Sequence, residues 1–268
     1  MAVPRIDPVL DAEARVEPNM ILVPPASAAH DWHASSWFEG GWVMPMGGYL
    51  LRSADRTILV DAGLGPEAPA GIDPSAQLLD NLGTLGVTTE EVTDVVVTHV
   101  HIDHVGWLAP QGQPLFEYAR HHVHAADWDW IRSGPASGAG TDGVWDILGK
   151  VSDLVEIASG SRTEIADAVA MRLLAGHTPG NCTVDVETSD GPVVLLGDTA
   201  YHPVLLVEGG WSSHADLDHA GAARSRETVA DEAERSGALL FGAHFPGGAP
   251  GRVVRDGAGR RQWCSVTR

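Results

Sequence analysis

The feature that most constrains the fold of this chain is the motif His-Val-His-Ile-Asp-His at residues 99–104, which follows the apolar run of residues 95–97. The apolar run predicts a buried strand that ends just before the motif. Because His99 and His101 are two residues apart, an extended backbone would project both side chains to the same side. Asp103 is placed to cap or begin a short helix. The motif therefore predicts a turn that presents several polar side chains at the end of a strand.

Imidazole and carboxylate groups in this arrangement are typical ligands of zinc and other first-row metals. A cluster of surface histidines that binds no metal is the alternative. Four candidate ligands within six residues, at the end of a valine-rich strand, favour the metal site. Such a turn could present two histidines to one cation and an Asp–His pair to a second cation.

Three later strand ends have residues of the same type. His177 lies in the segment Gly-His-Thr-Pro-Gly, Asp198 follows the apolar run of residues 193–196, and His244 follows the predicted strand of residues 238–242. A single buried histidine is more often a satisfied polar group than a ligand. The recurrence of such residues at four strand ends favours one shared site.

Asp61 ends another predicted strand, at residues 57–60, and is followed by Ala-Gly. An Asp in this position could cap a turn. It could also accept a hydrogen bond from a metal-bound histidine. The residues alone leave both interpretations open.

The remaining pattern predicts an α/β protein with a single domain over residues 1–268, because no linker is long or polar enough to divide it. Residues 1–18 predict an arm on the surface with one short helix. The other predicted strands cover residues 19–23, 49–52, 94–98, 122–124, 170–174 and 183–187, with one or two edge strands within 252–268. The predicted helices cover residues 74–85, 125–131, 144–150 and 216–236, and in the last of these Arg224 and Arg226 are expected to be solvated.

Residues 25–47 form a stretch rich in Trp and Met, which includes Trp32, Trp37 and Trp42. One interpretation is a core strand with its hairpin. The other is a loop whose apolar side chains line a substrate pocket. The pattern does not say which way the rings face.

Composition excludes several classes of partner. The chain has 17 Lys and Arg against 36 Asp and Glu, a net charge of −19, and Lys150 is its one lysine. It lacks the basic surface that nucleic-acid binding requires, so we expect no nucleic-acid partner. Cys182 and Cys264 offer no disulfide framework. No signal-peptide pattern and no apolar run of about 20 residues is seen, so we expect a cytoplasmic protein without a membrane partner.

The order of these motifs resembles that of the metallo-β-lactamase-fold hydrolases, from about residue 49 to residue 245. The resemblance implies an αββα sandwich, in which two mixed β-sheets are flanked by helices. Asn181 departs from the pattern, because many relatives have His at this position in Gly-His-Thr-Pro-Gly-His. That second histidine is not a metal ligand, so the implied metal site is unaffected.

The resemblance also implies a ligand set for two divalent metal ions per chain, zinc first, with cobalt, manganese or iron as alternatives. The first metal would be held by His99, His101 and His177, the second by Asp103, His104 and His244, with Asp198 bridging and Asp61 supporting the motif from behind. A hydroxide shared by two such cations could attack an electrophilic centre, and Asp103 could also orient this nucleophile.

Tyr201 lies three residues beyond Asp198, which resembles the N-acyl-homoserine lactonases, where such a Tyr hydrogen-bonds the lactone carbonyl. A packed core residue is the alternative for Tyr201. The expected activity is hydrolysis of a small apolar lactone or carboxylic ester. The main alternative is a phosphotriesterase or arylesterase of the methyl-parathion-hydrolase type. A β-lactamase, a glyoxalase-type thioesterase and a mononuclear iron persulfide dioxygenase are weaker alternatives, and a homodimer is left open.

Overall fold

The computed structural model describes residues 5–26, 35–53, 55–66, 77–134 and 140–266. Within these ranges the strands are, in chain order, β1 (Arg5–Val16), β2 (Leu22–Val23), β3 (Trp42–Arg52), β4 (Thr57–Val60), β5 (Asp94–Val96), β6 (Arg120–His124), β7 (Val155–Ala158), β8 (Arg162–Ala166), β9 (Val169–Leu173), β10 (Cys182–Thr188), β11 (Gly191–Leu195), β12 (Ser212–Ser213), β13 (Leu239–Phe241), β14 (Gly251–Arg255) and β15 (Arg261–Ser265). The helices are α1 (Leu78–Thr84), α2 (Ile102–Val105), α3 (Ala125–Arg132), α4 (Val144–Lys150), α5 (Val204–Val207) and α6 (His219–Ser236).

Two large mixed sheets form the centre of the fold. The first has six strands in the order β1-β3-β4-β5-β6-β7, and the second has seven in the order β15-β14-β13-β11-β10-β9-β8. In the first sheet β4, β5, β6 and β7 are parallel. In the second, β11 and β13 are parallel and the other neighbours are antiparallel.

The two sheets pack face to face, as the alternation of side chains along each strand dictates. Leu51 and Ile58 of the first sheet lie in one apolar cluster with Val184 and Leu195 of the second. The opposite face of the first sheet packs on α1, α3 and α4, and the opposite face of the second packs on α5 and α6. The αββα sandwich predicted from the sequence is confirmed.

Strand direction brings the predicted site residues to one edge. The ends of β4 and β5 lie side by side because these strands are parallel. Strand β9 is antiparallel to β10, which is antiparallel to β11, so β9, β11 and β13 also point the same way. The carboxyl ends of strands that share a direction meet at one edge of a sheet, where α/β proteins place their sites.

The prediction of a surface arm over residues 1–18 is wrong for residues 5–16. These residues form β1, which pairs with β3 from Arg5 opposite Arg52 to Val16 opposite Trp42. Pro8 is tolerated because β1 is the edge strand of its sheet, where a missing N–H costs no ladder bond. The strand predicted at residues 19–23 is reduced to β2, since Pro18–Met20 forms a 3-10 helix.

The long helix predicted at residues 216–236 begins later than expected. Asp218 caps α6 by accepting a hydrogen bond from the Gly221 N–H at 2.9 Å, and Gly237 ends it with φ of 69°. The helix predicted at residues 74–85 is found as α1, and residues 74–76 lie outside the described ranges. No helix in the described ranges is long and apolar enough to cross a bilayer.

Candidate metal centre

The histidine motif forms the turn between β5 and the short helix α2. The first two motif histidines precede α2, with His101 as its N-cap, and Asp103 and His104 lie in its four residues. His99, His101 and His104 are all buried. The apolar residues around the turn pack against the sheet, so the polar side chains are directed to the strand-end edge.

The first cluster contains three imidazoles whose nitrogens lie close together. His101 Nδ1 lies 3.0 Å from His99 Nε2 and 3.0 Å from His177 Nε2. The turn that follows β9 places His177 there, 76 residues beyond His101 along the chain. With one oxygen of Asp198, these nitrogens form a group of donor atoms that all lie within 4.8 Å of one another. Three imidazoles and a carboxylate form a donor set that suits a divalent first-row metal.

A second cluster lies beside the first. Asp103 Oδ2 lies 3.7 Å from His104 Nε2 and 3.4 Å from His244 Nε2. The turn after β13 supplies His244. The side chain of Asp103 is 21% exposed, whereas those of His104 and His244 are each 1% exposed. Asp103 therefore marks the side of the centre that faces solvent.

Asp198 lies between the two clusters. Its Oδ2 is 3.6 Å from both His99 Nε2 and His177 Nε2, and its Oδ1 is 3.4 Å from His104 Nε2 and 3.2 Å from His244 Nε2. Both carboxylate oxygens are buried and have no hydrogen-bond partner among the described residues, and the same holds for the Nε2 atoms of His104 and His244. Buried polar atoms without partners are costly. Their convergence fits the binding of a divalent metal at these side chains.

Asp61 contacts the motif from behind. Its carboxylate lies 2.8 Å from His104 Nδ1 and accepts hydrogen bonds from the backbone N–H and the hydroxyl of Thr98, each at 2.8 Å. This geometry leaves His104 Nε2 free to face Asp198. A carboxylate on the far nitrogen of a ligand histidine fixes the orientation of its ring. The Nδ1 of His244 is oriented in a similar way by the carbonyl of Pro45, at 2.8 Å.

The structure adds a pair behind His177 that the sequence did not predict. Asp216 Oδ1 lies 3.6 Å from His177 Nδ1, and Asp216 Oδ2 accepts a hydrogen bond from Arg226 Nη1 at 2.9 Å. Arg226 is 3% exposed, so the expectation that it is solvated is wrong. Arg224, on the same helix, is exposed as expected. Asp216 and Arg226 are ten residues apart, and Asp216 precedes α6, so no regular helical spacing in the sequence indicates this contact.

Asn181, the departure from the family pattern, is fully buried. Its Nδ2 donates to the carbonyl of Leu174 at 3.1 Å and to the hydroxyl of Thr199 at 2.9 Å. Thr199 directly follows Asp198. Asn181 therefore ties the turn that bears His177 to the turn that bears Asp198.

Tyr201 is packed against both clusters. Its ring is stacked on the ring of His244, with centroids 5.0 Å apart, and lies edge-on to His177 at 5.5 Å. Burial, together with the carboxylates of Asp198 and Asp103, raises the pKa of the Tyr201 hydroxyl well above its ordinary value. In the metal-free protein this phenol is therefore neutral and can donate a hydrogen bond.

The histidines of the two clusters differ in charge state. Burial and the neighbouring imidazoles lower the pKa of His101 to about 3, and they lower the pKa of His99 as well. Burial also acts to lower the pKa of His244, but the carboxylates of Asp198 and Asp103 outweigh it and raise the pKa to about 10. In the metal-free protein these shifts favour neutral imidazoles at His99 and His101 and a protonated imidazole at His244.

The aromatic residues that the structure describes within 25–47 pack around His202, the neighbour of Tyr201 in the sequence. The rings of Trp37, Phe38 and Trp42 surround His202 at centroid distances of 5.7, 5.0 and 5.2 Å. Phe38 and Trp42 are buried, which supports the core interpretation for these two residues, whereas Trp37 is half-buried. Trp32 lies outside the described residues.

The fold and the clustered His and Asp side chains agree with the family to which the chain is assigned. A family model described as the metallo-beta-lactamase superfamily matches residues 48–244, and the chain belongs to this superfamily. The chain has the metallo-β-lactamase fold, and its clustered His and Asp side chains could hold a metal ion.

Three known proteins are similar to this chain. The chain is 26% identical over 167 residues to the anti-Pycsar protein Apyc1 of Paenibacillus sp. (strain J14), a match that covers 59% of this chain and 62% of Apyc1. It is 25% identical over 183 residues to the N-acyl homoserine lactonase AiiB of Agrobacterium fabrum (strain C58), which covers 59% of this chain and 64% of AiiB. The matched parts thus span under two thirds of either relative. The structure of AidC, a dizinc quorum-quenching lactonase, matches with a TM-score of 0.80 and 17% identity, covering 100% of this chain and 97% of AidC.

Proposed function

We propose that this protein hydrolyses a lactone or carboxylic ester with the help of two divalent cations. The observation that supports this most directly is the position of Tyr201, a neutral phenol buried against residues of both metal clusters. The lactonases among its relatives, AiiB and AidC, support the same substrate class.

Seven residues would hold the cations. His99, His101 and His177 would bind the first, Asp103, His104 and His244 the second, and Asp198 both. When bound, such a pair supplies Lewis acidity, which lowers the pKa of water and polarises an ester carbonyl. The dizinc centre of AidC supports two zinc ions here, with cobalt, manganese or iron as alternatives.

The residues at the mouth of the centre have separate tasks in this proposal. Asp103 is the most exposed of the three second-cluster donors, so substrate and water approach from its side, and its free oxygen can orient the attacking water. Tyr201 donates a hydrogen bond to the carbonyl oxygen and stabilises the negative charge that develops there.

The charge of the site favours a neutral substrate. Among the described residues, Arg226 is the one Arg or Lys that reaches a metal-site histidine through a single intervening residue, Asp216. Arg226 is buried and paired with Asp216. The protein as a whole is strongly acidic, with a net charge of −19. An anionic thioester such as S-lactoylglutathione would find no free cationic side chain in this part of the site and would be repelled at longer range.

A hydrolysis panel on the metal-loaded protein tests the proposal. It compares an acyl-homoserine lactone, a nitrophenyl ester, a phosphotriester, a cephalosporin and S-lactoylglutathione. We expect the highest kcat/KM for the lactone or the nitrophenyl ester. A phosphotriester preference would replace this proposal with the methyl-parathion-hydrolase type, and a cephalosporin or thioester preference would replace it with the corresponding enzyme.

Elemental analysis tests the metal content separately. We expect two divalent metal ions per chain. One iron per chain, without zinc, cobalt or manganese, would contradict the dinuclear scheme and support a mononuclear iron enzyme.

We also propose the cytoplasm as the working compartment. Cys182 and Cys264 are both unpaired, and Cys264 is exposed. An exposed free thiol suits a reducing environment. A homodimer stays a prediction to be tested by the solution mass of the protein.

A further inference from the structure

A buried carboxylate on α3 has no part in the ligand set. Asp127 is 1% exposed, and no Arg or Lys of the described residues forms an ion pair with it. Burial raises the pKa of Asp127 above its ordinary value. A buried carboxylate without a cation is costly, so its retention calls for a physical explanation.

The hydrogen bonds of Asp127 come from the two turns that bear the first metal cluster. Its Oδ2 accepts from the backbone N–H of Val100 at 3.1 Å and from the hydroxyl of Thr178 at 2.8 Å, and its Oδ1 accepts from the backbone N–H of Gly180 at 2.6 Å. Val100 lies between His99 and His101, and Thr178 directly follows His177. One carboxylate thus contacts the neighbours of all three histidines.

The two turns are also joined by a hydrogen bond that does not involve Asp127, so the Asp127 carboxylate is not needed merely to hold them together. The Cys182 N–H donates to the Thr98 carbonyl at 2.8 Å, so the two segments are connected at their base without Asp127. The carboxylate acts nearer the ligands. Its hydrogen bonds to Val100 and Thr178 join the turns at residues that adjoin the histidines in the sequence.

The close approach of the second turn to α3 explains one glycine of the Gly-His-Thr-Pro-Gly segment. A Cβ on Gly180 would lie 2.5 Å from the Asp127 backbone nitrogen and 2.8 Å from its Cγ. Only glycine allows the turn to come within hydrogen-bond distance of the helix at this point.

We propose that Asp127 is a positioning residue that sets the spacing of His99, His101 and His177 and thereby the affinity of the first metal position. This inference rests on the metal centre of the proposed function. Removing a partner of this kind behind metal ligands typically weakens metal binding by about 10–100-fold.

The test replaces Asp127 with an isosteric amide. In Asp127→Asn, the amide NH₂ must face at least one of the N–H or O–H groups that now donate to the carboxylate. Two hydrogen-bond donors then face each other, so the two turns should move apart. Chelator competition measures the affinity of each metal equivalent, and the absorption spectrum of the Co²⁺-loaded protein reports the coordination geometry. We expect one equivalent to bind about 10–100-fold more weakly, with a changed Co²⁺ spectrum. Asp129→Asn, on an exposed residue of the same helix, is the matched control and should bind as wild type.

A second pair of variants keeps the proposal testable if Asp127→Asn does not fold. Thr178→Val removes one of the three hydrogen bonds, and Thr178→Ser retains it. We expect weaker binding and an altered Co²⁺ spectrum in the first and recovery in the second. Folded variants with wild-type affinity and spectrum would overturn the role of Asp127 alone, even if their thermal stability falls. A wild-type protein that binds no metal would overturn the proposed function as well.

Discussion

The ring of Tyr201 is stacked on the ring of His244, with centroids 5.0 Å apart and planes inclined by 12°. The packing of the ring and the chemistry of its hydroxyl can therefore be separated by mutation. Tyr201→Phe retains the stacked ring and removes only the hydroxyl. If the hydroxyl stabilises developing charge on a carbonyl oxygen, we expect kcat/KM for a lactone to fall by about 100-fold.

Metal content distinguishes the two interpretations of Tyr201. Elemental analysis of Tyr201→Phe should give the wild-type metal content. A parallel loss of metal and turnover would mean that Tyr201 supports the structure of the centre and does not contact substrate.

His101→Ala tests the metal motif itself. It removes the Nδ1 that lies 3.0 Å from both His99 Nε2 and His177 Nε2, so the first cluster loses a central donor. We expect hydrolysis to become undetectable while circular dichroism stays close to that of wild type. His219→Ala, at an exposed histidine of α6, is the control and should remain active. Turnover retained by His101→Ala would remove the motif from the mechanism.

The side chains that the structure brings together in the two clusters could be picked out from the sequence because each lies in a local pattern. The motif at residues 99–104 follows a valine-rich run, and Asp198 and His244 each end an apolar strand. Such signals need only a few neighbouring residues. The resemblance to a known family then ordered the donors into two clusters, which strand spacing alone could not do.

The supporting residues were missed because their partners lie far away along the chain. Asp127 contacts residues that lie 27 to 53 positions away along the chain. Asp216 contacts His177, which also lies far from it in the sequence. Strand β1 was missed for a related reason. Asp11 within it is buried, but it accepts hydrogen bonds from the Leu64 backbone and from Trp107 Nε1, 53 and 96 residues away. A polar segment with several prolines favours a surface arm unless such partners are known.

Asp94, at the start of β5, is expected to make the stability of the fold sensitive to acid. It is fully buried and contacts Arg56 at 3.1 Å, Arg120 at 2.7 Å and His122 at 2.9 Å. Burial opposes its ionisation, but these partners and Thr93 lower the pKa of Asp94 to about 2. Because the folded pKa lies below that of the unfolded chain, the stabilisation is present above about pH 4 and is lost as the pH falls towards 2. At about 1.36 kcal/mol per pKa unit, the shift from 3.8 to about 2 amounts to about 2 kcal/mol.

Denaturant unfolding at pH 6 and pH 3 measures this component. Other carboxylates also lose stability in acid, so the difference between variants is what matters. We expect Asp94→Asn to be less stable at pH 6 and to lose about 1 kcal/mol less than wild type on going to pH 3. Asp153→Asn, at an exposed position, should lose as much as wild type. An equal pH dependence in all three proteins would show that Asp94 is not a source of the acid sensitivity.

Arg226 and Arg224 form a natural comparison on one helix. The Arg226 side chain is 3% exposed and pairs with the fully buried Asp216, whereas the Arg224 side chain is 73% exposed and lies 3.9 Å from Asp218. Breaking a buried pair leaves an uncompensated charge, so we expect Arg226→Gln to lower the free energy of unfolding by about 3 kcal/mol. Arg224→Gln should change it by less than about 0.5 kcal/mol. Similar values for the two variants in guanidinium denaturation would argue against a buried ion pair.

The charge states of the two clusters predict that metal uptake releases protons. The pKa of His244 is raised to about 10, and that of His104 is also raised, because the carboxylates around them, Asp198 foremost, outweigh the effect of burial. Both imidazoles are therefore protonated at neutral pH without metal, and a cation must displace these protons before it can bind. Isothermal titration calorimetry in two buffers of different ionisation enthalpy should give different binding enthalpies, and the affinity of the second equivalent should rise from pH 6 to pH 8. Because the pKa values of His99 and His101 are lowered, the equivalent bound by the first cluster should show the weaker pH dependence. Two equivalents with the same small dependence would contradict the assignment of charge.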